Sequence, residues 1–224
     1  AGRHLAVVGR AGTGVDNVDL EAATRLGIMV VNAPTSNTVA VAEHTIGLML
    51  CMARHLADAN NGMHQGLWQK NALMGSELRG KVLGLVGLGK VGAAVAQRAR
   101  GLEMQLIAFD PFVSPERAQQ LGAELVTLDE LLFRSDYVSL HAPATERTQG
   151  MIGKHELSLM KPTARQINCA RGDLIVEQDL MQALREGSIA GAALDVFVGE
   201  PNVAMDWRDC PNVLLTPHLA ASTE

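Results

Sequence analysis

The chain has 224 residues, 47% of them hydrophobic and 19% charged, with a formal net charge of -5, a length that makes one or two domains with room for a substantial core. Mild acidity with scattered lysines and arginines argues against a nucleic-acid or membrane surface working through bulk positive charge, and no apolar stretch approaches the roughly 20 residues of a bilayer span. Three distant cysteines, Cys51, Cys169 and Cys210, offer neither a disulfide framework nor a metal-ligand spacing, which suits a reducing cytoplasm and a site without metal.

Residues 5–33 read as a short α/β piece. Leu5 to Gly9 predicts a strand, Asp19 an N-cap, Leu20 to Leu26 a helix stopped by Gly27, and Ile28 to Asn32 a second strand. Ala33 to Asn37 forms a hinge-like connection in which Pro34 blocks further helix or strand. From Thr38 to about Asn60, Val41, His44, Thr45, Leu48, Cys51, Met52 and His55 recur at spacings of three and four, predicting one long helix. Its apolar arc is wide, so it needs burial on more than one side, which a subunit contact would satisfy. A loop containing Trp68 and Gly75 leads on to Lys81; Trp68 and Trp207 are expected as packing anchors.

Lys81 to Asp110 is the most informative stretch. Val82 to Val86 predicts a strand, Gly87-Leu88-Gly89-Lys90-Val91-Gly92 a glycine turn, the residues through Arg100 a helix, and Met104 to Phe109 a second strand that ends in Asp110. That is the βαβ unit that holds a dinucleotide. Gly87 allows the tight turn, Gly89 leaves room for a pyrophosphate, and Gly92 lets the helix pack close to the strand. The helix N-terminus turns its N–H groups and positive dipole end to the phosphates. Asp110 can accept from the ribose hydroxyls and would repel a 2′-phosphate, so the expected cofactor is NAD rather than NADP.

The alternation then continues. Ser114-Pro115-Glu116 starts a helix, Ala123 to Val126 is a strand, and Thr127 with Glu130 forms a capping box. Tyr137 to His141, Ala164 to Cys169, Ala190 to Val196 and Val213 to Thr216 are strands, with helices over 154–160 and 177–186, the latter stopped by Gly187. The fold class is therefore α/β, a doubly wound, mostly parallel, Rossmann-like sheet covered on both faces. The chain opens at Ala1 and closes on what reads as the first turn of a helix, so it is expected to be a fragment of a longer protein.

Ligands of such sheets sit beyond the carboxyl ends of the strands. Arg171, Glu200 and His218 each follow a predicted strand there. A neutral imidazole suits the proton step of oxidising a 2-hydroxy acid, a carboxylate beside it fixes its tautomer, and a guanidinium can clamp the substrate carboxylate. Other residues have plainer readings. His44 is core or interface, His141 either packs or lines the cofactor pocket, and Cys169 is a small packing residue rather than a nucleophile.

These segments together resemble the D-isomer-specific 2-hydroxyacid dehydrogenases, most closely the branch acting on 3-phosphoglycerate. The resemblance is carried by Gly9 to Asp19, the glycine turn, Asn168-Cys169-Ala170-Arg171-Gly172, Ala193 to Phe197 with Glu200-Pro201, and Thr216-Pro217-His218-Leu219. It implies an NAD-dependent oxidoreductase in serine biosynthesis, with Arg171 on the substrate carboxylate, His218 as acid–base and Glu200 as its partner. Glyoxylate or hydroxypyruvate reduction, or an NAD-sensing corepressor role, are the alternatives. The resemblance also implies cofactor contacts at Thr13, Lys90, Val91, Ala142, Cys169, Ala170, Asp195 and Ala220. Arg10, Ala11 and Gly12 would face the substrate. Residues 1–33 would then be the remnant of a flavodoxin-like substrate domain and 34–224 the NAD-binding domain, with a homodimer or homotetramer built on helix 38–60.

Overall fold

Apolar strands separated by one-sided helices sort the chain into two parallel sheets in the computed structural model, which describes residues 4–12, 14–15, 17–33 and 35–224. Thr13 and Pro34, both singled out in the sequence, lie outside the described residues. The first sheet is small. β1 (Val7–Arg10) and β2 (Met29–Asn32) pair in parallel across α1 (Leu20–Arg25). Local chemistry sets the ends of that helix: the Asp19 carboxylate accepts the Ala22 N–H at 2.8 Å, and Gly27 follows the helix at φ 66°.

The single helix expected over 38–60 is in fact two, α2 (Thr38–Arg54) and α3 (Leu56–His64). His55 turns left-handed at φ 52° and closes α2 with its N–H on the Cys51 carbonyl. Apolar spacing runs on through this point, so periodicity alone does not mark the break. α2 buries Val41, Ala42, Leu48, Met49 and Ala53 in the same core as residues of the next helix and the main sheet. Much of its apolar arc is thus met within the chain. Val39 is the exposed large apolar side chain of α2, and most of the uncovered ones in this stretch lie on α3 and the loop after it, at Leu56, Met63, Leu67, Trp68 and Met74. Trp68 is 79% exposed and is no packing anchor, whereas Trp207 is 1% exposed and is one.

The second sheet carries the site. Its strands are β3 (Val82–Val86), β4 (Gln105–Phe109), β5 (Ala123–Leu125), β6 (Tyr137–Leu140), β7 (Arg165–Asn168), β8 (Gly191–Leu194) and β9 (Val213–Leu215). They lie in the order β5-β4-β3-β6-β7-β8-β9, every pair parallel. The chain reverses its direction of travel across the sheet at β3, the switch point where doubly wound folds open a crevice. Helices α4 (Lys90–Gly101) and α5 (Pro115–Gln120) join α2 in one core; α6 (Leu128–Arg134), α7 (Lys154–Leu159) and α8 (Glu177–Glu186) pack in a second. β3 feeds both: Leu83 and Leu85 belong to the first core and Val86 to the second, the two-residue alternation of a strand buried on both faces.

The predicted caps form at α5, where Ser114 accepts the Arg117 N–H, and at α8, where Gly187 turns at φ 69°. The expected capping box at α6 is half made. Thr127 accepts the Glu130 N–H at 3.2 Å, but the Glu130 carboxylate is held by Arg134 at 2.7 Å. Two short 3-10 turns, Gly172–Leu174 and Met205–Asp209, leave no trace in the hydrophobic pattern. Among the described residues, no helix is long and apolar enough to cross a membrane.

Candidate active site

The glycine turn has the shape its spacing requires. Gly87 sits at φ 95°, and a Cβ there would stand 2.9 Å from the His141 carbonyl. A Cβ on Gly92 would stand 2.2 Å from the Gly87 oxygen, so only glycine lets α4 come this close to the end of β3. A Cβ on Gly89 would meet nothing within 4 Å: that side of the turn is an open cradle. Lys90, exposed, and Val91, half-buried, begin α4 beside it. Asp110 closes the unit from the end of β4. One of its oxygens accepts the Leu88 N–H at 2.8 Å and the other the Phe112 N–H at 2.9 Å. A carboxylate has about four acceptor positions, so about two remain for a ribose diol. The turn, the cradle and the acid together fit a dinucleotide.

His141 ends β6 directly behind the turn, with its N–H on the Val86 carbonyl. Its ring meets the Ser139 hydroxyl at 3.0 Å, and burial pushes its pKa down to about 4, so the imidazole is neutral at pH 7. Of its two readings, packing behind the turn is the one this contact set supports. Ala142, half-buried, packs against the second core.

Three loops at the carboxyl ends of β7, β8 and β9 hold the candidate chemistry. In the first, the Asn168 amide bridges its own loop, accepting the Ala170 N–H at 3.0 Å and donating to the Arg171 carbonyl at 2.8 Å. This sets the backbone from which Arg171 projects. The Arg171 guanidinium reaches the Ala170 carbonyl at 2.6 Å. Gly172 then packs so tightly on the next loop that a Cβ would lie 2.2 Å from the Phe197 carbonyl carbon. In that second loop Glu200 accepts the Phe197 N–H at 3.2 Å through one oxygen. Its other oxygen contacts Nδ1 of His218, from the third loop. The acid and the imidazole, 18 residues apart, are therefore paired, and the arginine's loop leans on the loop of the acid.

His218 is held in an unusual backbone state, left-handed at φ 49°. Non-glycine residues adopt it only where the surroundings over-determine it. Those surroundings centre on Asp195, whose carboxylate is fully buried. Asp195 accepts the Thr216 hydroxyl at 2.6 Å, the Leu219 N–H at 3.0 Å and the Ala220 N–H at 2.9 Å. Its backbone carbonyl takes the His218 N–H at 2.8 Å. Thr216 in turn meets the His44 ring of α2 at 3.2 Å.

Cys169 is buried between these strands and α2, and burial pushes its thiol up to about 12, which leaves it unreactive at neutral pH. Arg10, Ala11 and Gly12 lie on the small sheet's side. The Gly12 carbonyl takes the Ala33 N–H at 3.0 Å, and the Arg10 guanidinium folds over Gly12. At the opposite edge of the main sheet is a crevice lined by Lys81, Asp136, Tyr137 and Arg165 among others, with none of the expected site residues in it. Sequence reasoning missed Asn168, Thr216 and the part played by His44. The only available signal was an asparagine three residues before the arginine and a threonine two residues before the histidine.

The family model for the NAD-binding domain of D-isomer specific 2-hydroxyacid dehydrogenases matches residues 46–220. The chain is 50% identical, over all of its length, to the D-3-phosphoglycerate dehydrogenase of a Synechocystis strain, of which it covers 40%. It is 48% identical to that of Archaeoglobus fulgidus, covering 42%. The chain thus spans about two fifths of the length of these curated relatives. Among solved structures, D-lactate dehydrogenase from Aquifex aeolicus, complexed with NAD and lactic acid, superposes with a TM-score of 0.89 at 30% identity, over 99% of this chain and 72% of that one.

Proposed function

This chain belongs to the D-isomer-specific 2-hydroxyacid dehydrogenases through their NAD-binding domain, and from that premise we propose that the protein oxidises 3-phosphoglycerate at its hydroxyl-bearing carbon. The observation that carries the chemistry is the His218–Glu200 pair on the strand edge that also carries the Asp110-braced glycine turn. The curated relatives' name supports the substrate. When bound, NAD accepts the hydride. The protein's own residues manage the proton and the substrate. Nδ1–H of His218 donates to Glu200, which leaves Nε2 bare to take the alcohol proton. The Glu200 charge steadies the imidazolium that forms, and in the reverse direction Nε2 returns the proton. Arg171 clamps the substrate carboxylate with its planar fork, and Arg10, Ala11 and Gly12 complete the substrate side. Lys90, Val91, Ala142, Cys169, Ala170 and Ala220 line the path of the cofactor, whose ribose Asp110 receives, and the buried Asp195 supports that wall from behind.

Residues 1–33 are then part of a substrate-binding unit and 34–224 the cofactor unit, a division supported by the small sheet's separation from the large one. A homodimer follows from the uncovered apolar side chains of α3 and its loop, which a second copy would bury. Sedimentation of the full-length protein should show a dimer or a tetramer that Trp68→Ser weakens; a wild-type monomer at micromolar concentration would remove this assembly. For the reaction, the full-length protein should reduce NAD with 3-phosphoglycerate. His218→Gln should lower kcat by roughly 10²–10⁴-fold. Turnover only with glycolate or glycerate would shift the substrate to the glyoxylate and hydroxypyruvate reductases, and an undiminished rate in His218→Gln would remove the mechanism.

A further inference from the structure

The loop that carries His218 leaves β9 at Leu215 and has no regular structure of its own; within it Leu219 is exposed and His218 half exposed. What fixes it is the Asp195 carboxylate, which collects the N–H groups of Leu219 and Ala220 on the far side of the histidine and the Thr216 hydroxyl on the near side. One further group enters this cluster from a distant element. Nε2 of His44, in the second turn of α2, lies 3.2 Å from Thr216 Oγ1 and 3.4 Å from Asp195 Oδ1.

The proton count settles the direction of that contact. Thr216 has one hydroxyl proton, and it is committed to Asp195 at 2.6 Å. Its oxygen can therefore only accept from His44, and the carboxylate beside it is likewise an acceptor. Nε2 of His44 must carry a hydrogen, directed at Thr216 with the Asp195 oxygen 3.4 Å away, and this holds whether the ring is neutral or charged. α2 itself is fixed, since Thr45, Leu48 and Met49 next to His44 are buried. A rigid helix thus donates into the acceptor cluster from which a strained loop hangs.

We infer that His44 is a positioning residue for the acid–base step: through Thr216 and Asp195 it holds the His218 loop in register with Glu200. The inference rests on the assignment of His218 made above. It sets His44 apart from a histidine that merely packs, because the donor at Nε2 matters and not the ring's volume.

The test uses the full-length enzyme, with rates expressed per NADH-titrated active site. His44→Ala should lower kcat about tenfold while KM for NAD stays within about twofold, since a misplaced acid–base group costs rate rather than cofactor binding. His44→Gln, whose amide N–H reaches nearly the same point as Nε2, should restore kcat to within about threefold of wild type. Thr216→Val keeps the shape, breaks the link and should reproduce the loss. The His44→Ala, Thr216→Val double variant should be no slower than either single, because the two act as one unit. If His44→Ala does not fold, Thr216→Val and the glutamine variant carry the comparison. A kcat unchanged in His44→Ala or in Thr216→Val, a glutamine variant as slow as alanine, or additive losses in the double variant would each overturn the inference. A His218→Gln enzyme at full rate would instead overturn the assignment beneath it.

Discussion

Asp110 shows how a single side chain can serve both fold and ligand. One oxygen braces the glycine turn at Leu88 and the other caps the Phe112 N–H, yet acceptor capacity remains on both. Asp110→Ala removes the brace, the proposed ribose acceptor and the negative charge together. KM for NAD should rise about tenfold and the preference for NAD over NADP should shrink, because the charge that repels a 2′-phosphate has gone. The ratio of kcat/KM for the two cofactors checks this; an unchanged ratio would mean that discrimination lies elsewhere. Asp110 is legible from sequence because the strand, turn, helix and acid follow one another without interruption. The Asp195 cluster is not legible in that way. Its members, His44 and Thr216, stand 172 residues apart, and only the order of strands in the sheet brings them together.

Elements whose ends are set by neighbouring residues can be read from the chain, and those set by distant packing cannot. Asp19, Ser114 and Gly187 act within three or four residues of themselves, and the helices they bound lie where expected. The join of α2 and α3 depends on a left-handed histidine with no compositional mark, and the exposure of Trp68 on what its loop leaves uncovered. The join can be tested. A left-handed conformation costs an L-residue with a Cβ roughly 1 kcal/mol or more relative to glycine, offset in part by glycine's greater freedom when unfolded. The contact His55 makes with Asp58 is long, at 3.8 Å, and its acid is largely exposed. His55→Gly should therefore leave stability unchanged or raise it by about 0.5 kcal/mol, read from the urea midpoint. A loss above about 1 kcal/mol would show that the imidazole itself holds the two helices together.

Across the whole molecule, stability is tied to pH through a residue at the back of the site. His141 has a folded pKa of about 4, depressed by burial from its ordinary 6.5. Between those values the unfolded chain binds a proton that the native state refuses. Stability is therefore full above about pH 6.5 and falls as pH drops towards 4, by on the order of 3 kcal/mol once both states are protonated. Asp136 acts in the same sense at lower pH. Burial opposes its ionisation, but the Val82 N–H and Lys161 outweigh that and hold it below the usual carboxylate range, so its contribution is lost only as pH falls through that lowered value. Urea midpoints at pH 7, 5.5 and 4.5 should fall in step, and His141→Gln should flatten the upper part of that slope. A wild-type curve already flat from pH 7 to 4.5 would refute it. The small β1–β2 sheet has a different consequence for handling the molecule. It is a ribbon of two strands on which Val7, Met29 and Val31 are 50%, 62% and 45% exposed. A two-stranded sheet has an edge strand on either side, and such edges beside greasy side chains are a template for recruiting strands from other copies. Prepared as these 224 residues alone, the polypeptide should self-associate as it is concentrated, and lysines substituted at Val7 and Met29 should keep it dispersed.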